Sequence, residues 1–85
     1  MPREEELPAV EARVAEARAA LAEREDALER ARRLARTRAI GDEERVRIEQ
    51  GARVAREQLS RAEADLKLMK AGAWKYDIDV AEASA

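Results

Sequence analysis

Residues 48–69 read IEQGARVAREQLSRAEADLKLM, and their apolar members fall at Ile48, Ala52, Ala55, Leu59, Ala62, Leu66 and Met69, with Ala73 next in the series. Steps that alternate between four and three residues keep one stripe of a helix apolar, which is the seam of a coiled coil. Upstream, Leu7, Val10, Val14, Ala17, Leu21, Leu28, Ala31 and Ala35 repeat the spacing, with Arg24 as a single charged interruption. Two commensurate seams in so short a chain predict two helices folded onto one another. A fold-back about the Gly41–Asp42 peptide pairs seam residues whose numbers add to 83, so that Leu28 faces Ala55, Leu21 faces Ala62, Ala17 faces Leu66 and Ala35 faces Ile48. Large faces small in most of these layers, which lets two helices approach closely while the gap stays filled.

Proline and glycine divide the chain. Pro8 suits a helix start because its missing N–H has no intrahelical acceptor there. The acids Asp42, Glu43 and Glu44 suit the positive end of a second helix, and Gly72 suits a left-handed cap. The expected organisation is a hairpin over 1–71 (helix 8–38, turn 39–42, helix 42–71). In 72–85 a break and the start of a following helix, capped by Asp77, complete it. The expected class is all-α: an antiparallel two-helix coiled-coil hairpin with a short C-terminal third helical segment, each arm roughly 45 Å long at about 1.5 Å per residue.

Composition narrows the function. Of 85 residues 42% are charged and 2% aromatic, with no Phe, Cys or His, and much of the apolar fraction is Ala, so no ordinary globular core can form. An enzyme is not expected. Without Cys there is no disulfide framework or thiolate metal site, and without His the usual general base and metal ligand are missing, so no catalytic, cofactor or metal residue is assigned. A net charge of -2 exerts no global pull toward nucleic acid or acidic lipid. No apolar run approaches the roughly 20 residues that span a bilayer, and no signal-peptide pattern precedes Arg3; an export or anchoring signal is expected outside this segment.

Acid-to-base pairs at four-residue spacing line both arms: Asp26–Arg30, Glu29–Arg33, Glu43–Arg47, Glu49–Arg53, Glu57–Arg61 and Glu63–Lys67. They account for most of the charge as helix solvation rather than chemistry. Arg24, opposite Leu59 in the expected register, reads equally as a register marker or as tolerance at a wet seam. Gly51 lies inside helix two, costs about 1 kcal/mol relative to Ala, and has no explanation at this level.

Three features are not absorbed by the hairpin. Leu34, Val46, Val54 and Leu68 fall off the seam, and four such residues on a thin rod suggest lateral packing, with Val46, Val54 and Leu68 as its candidates on helix two. Arg30, Arg32, Arg33, Arg36 and Arg38, answered across the turn by Arg45 and Arg47, make the turn locally basic. Trp74 and Tyr76, the only aromatics, suit a lid over the open end of the coil.

The tract Ala62-Glu63-Ala64-Asp65-Leu66-Lys67-Leu68-Met69-Lys70-Ala71-Gly72-Ala73-Trp74-Lys75, followed by an Ala-rich segment from Ile78, resembles the helical-hairpin region of HlyD-type periplasmic adaptors, also called membrane fusion proteins. The resemblance covers nearly the whole chain. It implies a parent anchored in the inner membrane of a Gram-negative bacterium. Its hairpin would cross the periplasm to meet a TolC-like outer-membrane channel in efflux or type I secretion. Such adaptors often carry a tip motif of Arg, Leu four positions on, and Ser seven positions further. Arg30 and Leu34 match in position, and Gly41 stands where the Ser would be, without its hydroxyl. The resemblance therefore implies tip contacts at Arg30, Leu34 and Gly41, sister hairpins side by side, and an inner-membrane transporter met through parts outside this segment. Two rivals share the seam. One is a nucleic-acid-binding arm, similar to the coiled coil at the amino end of seryl-tRNA synthetases, in which Arg30, Arg33 and Arg45 meet phosphates; with no aromatics near the turn to stack on bases, nucleic acid is the less expected partner. The other is a generic coiled-coil oligomerisation module.

Overall fold

The computed structural model describes the backbone of residues 6–84 and the side chains of residues 6–72. Helix α1 spans Glu6–Arg36 and α2 spans Asp42–Ser84, and the two pack against one another along their length. The result is the expected all-α hairpin, a rod 70 Å long and 16 by 14 Å across. Both helices are charged to suit their dipoles: Arg33 and Arg36 close α1, and Asp42, Glu43 and Glu44 open α2.

The seam is where the spacing puts it. Val10, Val14, Leu28, Ala31, Ala52 and Ala55 are buried, and the remaining seam residues between Leu7 and Met69 are part-buried, Arg24 alone being exposed. The core is therefore a line of Val, Leu and Ala rather than a volume.

The helix ends differ from expectation, and each difference has a local cause. Helix α1 starts at Glu6, two residues before Pro8, which still lies in the first turn where an N–H has no acceptor to lose. It ends at Arg36 rather than at 38. The Ala39 N–H donates to the Leu34 carbonyl at 2.8 Å and the Arg38 N–H to the Ala35 carbonyl at 3.1 Å, with Arg38 at φ 60°. This pair of bonds is a Schellman cap, with an arginine in the left-handed position that glycine usually fills. The Thr37 hydroxyl adds a bond to the Leu34 carbonyl at 3.0 Å. Gly41 does not turn the chain. Its carbonyl accepts the first bond of α2, from the Arg45 N–H at 3.1 Å, so Gly41 is the N-cap of α2.

The expected break at Gly72 is absent. Helix α2 continues from Asp42 to Ser84, and no described glycine has a positive φ. Gly72 is flanked by Ala71 and Ala73, the best helix formers, so its cost of about 1 kcal/mol is spread over a long helix. The anticipated third segment is the continuation of α2. The proposed lid of Trp74 and Tyr76 lies outside the described side chains.

Two ion pairs cross between the helices, Glu25 with Arg56 at 3.6 Å and Arg32 with Glu49 at 3.8 Å, each joining residues whose numbers add to 81. Glu11, Arg18, Glu25 and Arg32 recur at heptad spacing on α1, and Glu49, Arg56, Glu63 and Lys70 recur on α2, and these two pairs come from that row. On the other flank a Cβ built at Gly51 would lie 3.5 Å from Nη1 of Arg24. One groove there is lined jointly by Ala20, Arg24, Gly51, Val54, Ala55 and Gln58, and another by Val10, Arg13, Gln58, Arg61, Ala62 and Asp65. The pairing by numbers that add to 83 is therefore not kept along the whole seam.

None of the expected intrahelical pairs forms among the described residues. Glu49 turns to Arg32 and to Arg45, the latter at 2.8 Å, and Glu57 takes Arg53 at 3.7 Å. Gly51 lies beside the Arg24 guanidinium, where a Cβ would make a contact rather than a clash. Because that contact is at ordinary van der Waals distance, Gly51→Ala should keep the register and raise stability by about 0.5–1 kcal/mol through helix propensity. Arg38→Gly should add about 1 kcal/mol by removing the left-handed penalty. Urea midpoints of both variants check these values, and a fall in either midpoint contradicts the corresponding contact or cap.

Candidate functional site

The closed end of the rod is built from the last two turns of α1, residues 37–41 and the first turn of α2. Arg30 and Leu34 are one helical turn apart on the same side of α1, because a spacing of four residues nearly completes a turn. Leu34 is 45% exposed although its carbonyl is doubly occupied by the cap. Its backbone is thus held rigidly while its side chain faces solvent. Arg30 is exposed and makes no ion pair among the described residues, the expected partner Asp26 notwithstanding.

Gly41 is reached from Leu34 through the cap and stands at the other side of the turn, at the head of α2. Nothing lies within 4 Å of a Cβ built there. The three tip positions therefore divide into an adjacent pair on α1 and a separate backbone position on α2, all open to solvent.

The basic cluster is partly engaged. Arg45 is held by Glu49 at 2.8 Å and approaches Asp42 at 3.7 Å, and Arg32 approaches Glu49 at 3.8 Å. Glu49 thus anchors one cation from each helix. Arg30, Arg33, Arg36, Arg38 and Arg47 are exposed. The cations best able to meet a partner lie mostly on α1, opposite the acidic first turn of α2. The tip is dipolar rather than uniformly positive.

Lateral candidates are exposed as expected: Val46 at 42%, Val54 at 50% and Leu68 at 75%. Val54 lines the open groove of about 340 Å³ with Ala20, Gly51 and Gln58, on the flank that lacks the charge ladder. The groove beside Val54 therefore lies on the flank away from the Glu25–Arg56 and Arg32–Glu49 ion pairs. Among the described residues no cluster of acids could hold a metal ion, and no helix is long and apolar enough to cross a membrane.

Two features escaped the sequence reading. Arg38 as the left-handed residue has no local signal, since arginine is not a usual occupant. The flank charges did carry a signal, because their signs alternate on both helices.

Serine is a better N-cap than glycine by a few tenths of a kcal/mol, as its hydroxyl can accept from the N–H groups of Glu43 or Glu44. Gly41→Ser should accordingly fold with unchanged helicity and a slightly raised urea midpoint. A loss of helicity would show that Gly41 is needed for its backbone freedom instead.

No family model, curated protein or solved structure matches the chain. Function is therefore argued from the residues themselves.

Proposed function

We propose that this chain is the helical hairpin of a HlyD-type periplasmic adaptor, a non-enzymatic assembly module. It links an inner-membrane transporter to a TolC-like outer-membrane channel in efflux or type I secretion. The observation that carries this reading is the closed end of the rod, where Arg30 and Leu34 share one exposed side of α1 on a rigidly capped turn. Supporting it is the resemblance of the tract Ala62–Lys75, although that tract runs uninterrupted here through Gly72.

In this reading α1 and α2 are a strut. A rod 70 Å long with a core one residue wide is suited to reach rather than to enclosing a ligand. Leu34 supplies the apolar contact at the channel's periplasmic end and Arg30 a flanking charge-assisted hydrogen bond. Gly41 leaves the head of α2 uncovered. Val46, Val54 and Leu68 pack against sister hairpins, and the transporter is engaged by parts of the parent outside this chain. The parent belongs in the periplasm, anchored to the inner membrane of a Gram-negative bacterium. The rival nucleic-acid arm is weakened by Arg45, one of its three phosphate ligands, being held by Glu49 and Asp42.

Photocrosslinking from position Leu34 of the parent protein in cells should capture an outer-membrane channel. The paired change Arg30→Glu and Leu34→Asp should reduce export at least tenfold while the protein remains helical. Unchanged export, or capture of nucleic acid at Leu34, would overturn the proposal.

A further inference from the structure

We propose that two copies of this chain pair antiparallel through one flank of the rod, about a two-fold axis that passes Val54, and that this pairing covers Leu34. The inference does not depend on the tip meeting a channel. It goes beyond lateral packing, because antiparallel copies point their tips in opposite directions.

Heptad positions define the flank. Val54 lines a groove with Ala20, Gly51 and Gln58 on the side away from the Glu25–Arg56 and Arg32–Glu49 ion pairs. Leu34 is two heptads from Ala20, and Leu68 is two heptads from Val54, so they extend the same flank toward opposite ends of the rod. Leu34, Val54 and Leu68, three of the four exposed large apolar residues among the described side chains, therefore share one face. The rod also has surface to give up. Its 7009 Å² exceeds by about 2,000 Å² that of a compact protein of its mass, and a stable dimer removes about 800 Å² from each partner.

The levels of these residues along the rod point to the occupant. The cross-helix ion pairs join numbers that add to 81, which puts Ala27 level with Val54. A two-fold axis across the rod at that level lays α1 on α1 and α2 on α2 of the other copy. Val54 then meets Val54, Leu34 comes level with Ala20, and Leu68 with the half-buried Ile40 at the turn. Arg30 falls within one residue of the level of Glu23, with which it shares a heptad position. Glu44 and Arg47 come level with Asp65 and Arg61, two carboxylates with two cations. A two-fold axis along the rod would lay α1 on α2 instead, setting Leu34 against Arg47 and Leu68 against Arg13. It would also join the two tips, where residues 30–47 hold seven arginines against three acids. In the antiparallel pair the basic end of α1 lies beside its stretch 6–29, which holds seven acids against three arginines. Apolar fit and charge thus select the same partner in the same direction. Because Leu34 lies inside the pair, pairing withholds it from any other partner.

The sequence has no cysteine, so single substitutions report contact between copies without background. Sedimentation equilibrium of the 85-residue chain should give twice its mass of 9.5 kDa. Val54→Cys should close a disulfide between copies, as should Leu34→Cys mixed with Ala20→Cys. Ser60→Cys, one heptad from Lys67 on the other flank, should not. Val54→Arg should weaken pairing at least tenfold. A disulfide between Leu34→Cys and Arg47→Cys copies marks a parallel pair and overturns the proposal. A chain that sediments as a monomer overturns it too, as does crosslinking of Ser60→Cys as strong as that of Val54→Cys.

Discussion

The interaction on which this hairpin depends is the burial of a seam one residue wide, with Val10, Val14, Leu28 and Ala31 on α1 and Ala52 and Ala55 on α2. The two ion pairs that cross beside it, Glu25–Arg56 at 3.6 Å and Arg32–Glu49 at 3.8 Å, are largely exposed, and a pair of this kind contributes about 0–1 kcal/mol. The seam carries the association and the ion pairs add to it.

That division of labour follows from the thinness of the rod. The accessible surface is 7009 Å², against about 5,000 Å² for a compact protein of this mass. Little apolar area is removed from water, and among the described residues only Ala52 and Ala31 are almost completely covered, at 0% and 2%. Such a core tolerates Arg24, which is exposed and whose guanidinium lies beside Gly51. In a globular domain the same residue would be an unpaired intrusion.

The helices, the seam and its single charged interruption were legible from spacing alone, because a 3.5-residue apolar repeat leaves few alternatives. The cross-helix ion pairs were not, because Glu25 with Arg56 and Arg32 with Glu49 can be matched only once the helices are known to be antiparallel. The turn was misplaced for a different reason. Glycine usually supplies the left-handed residue of a reversal, whereas here Arg38 does so and Gly41 caps the next helix. Gly72 failed in the same direction, because a glycine between alanines costs a helix too little to end it.

For the tip, the sequence located the residues and the structure supplied their stiffness. Leu34 is exposed, which alone means little on a rod. Its carbonyl accepts from both Ala39 and Thr37, so the backbone beneath it is tied to the cap. An apolar side chain held out on a fixed backbone loses less conformational freedom on meeting a partner than one on a fraying helix end. The arginine at φ 60° is part of this arrangement, since the cap that fixes Leu34 is the one that holds Arg38 in the left-handed region. The cost carried by Arg38 and the fixed backbone beneath Leu34 therefore have a common origin.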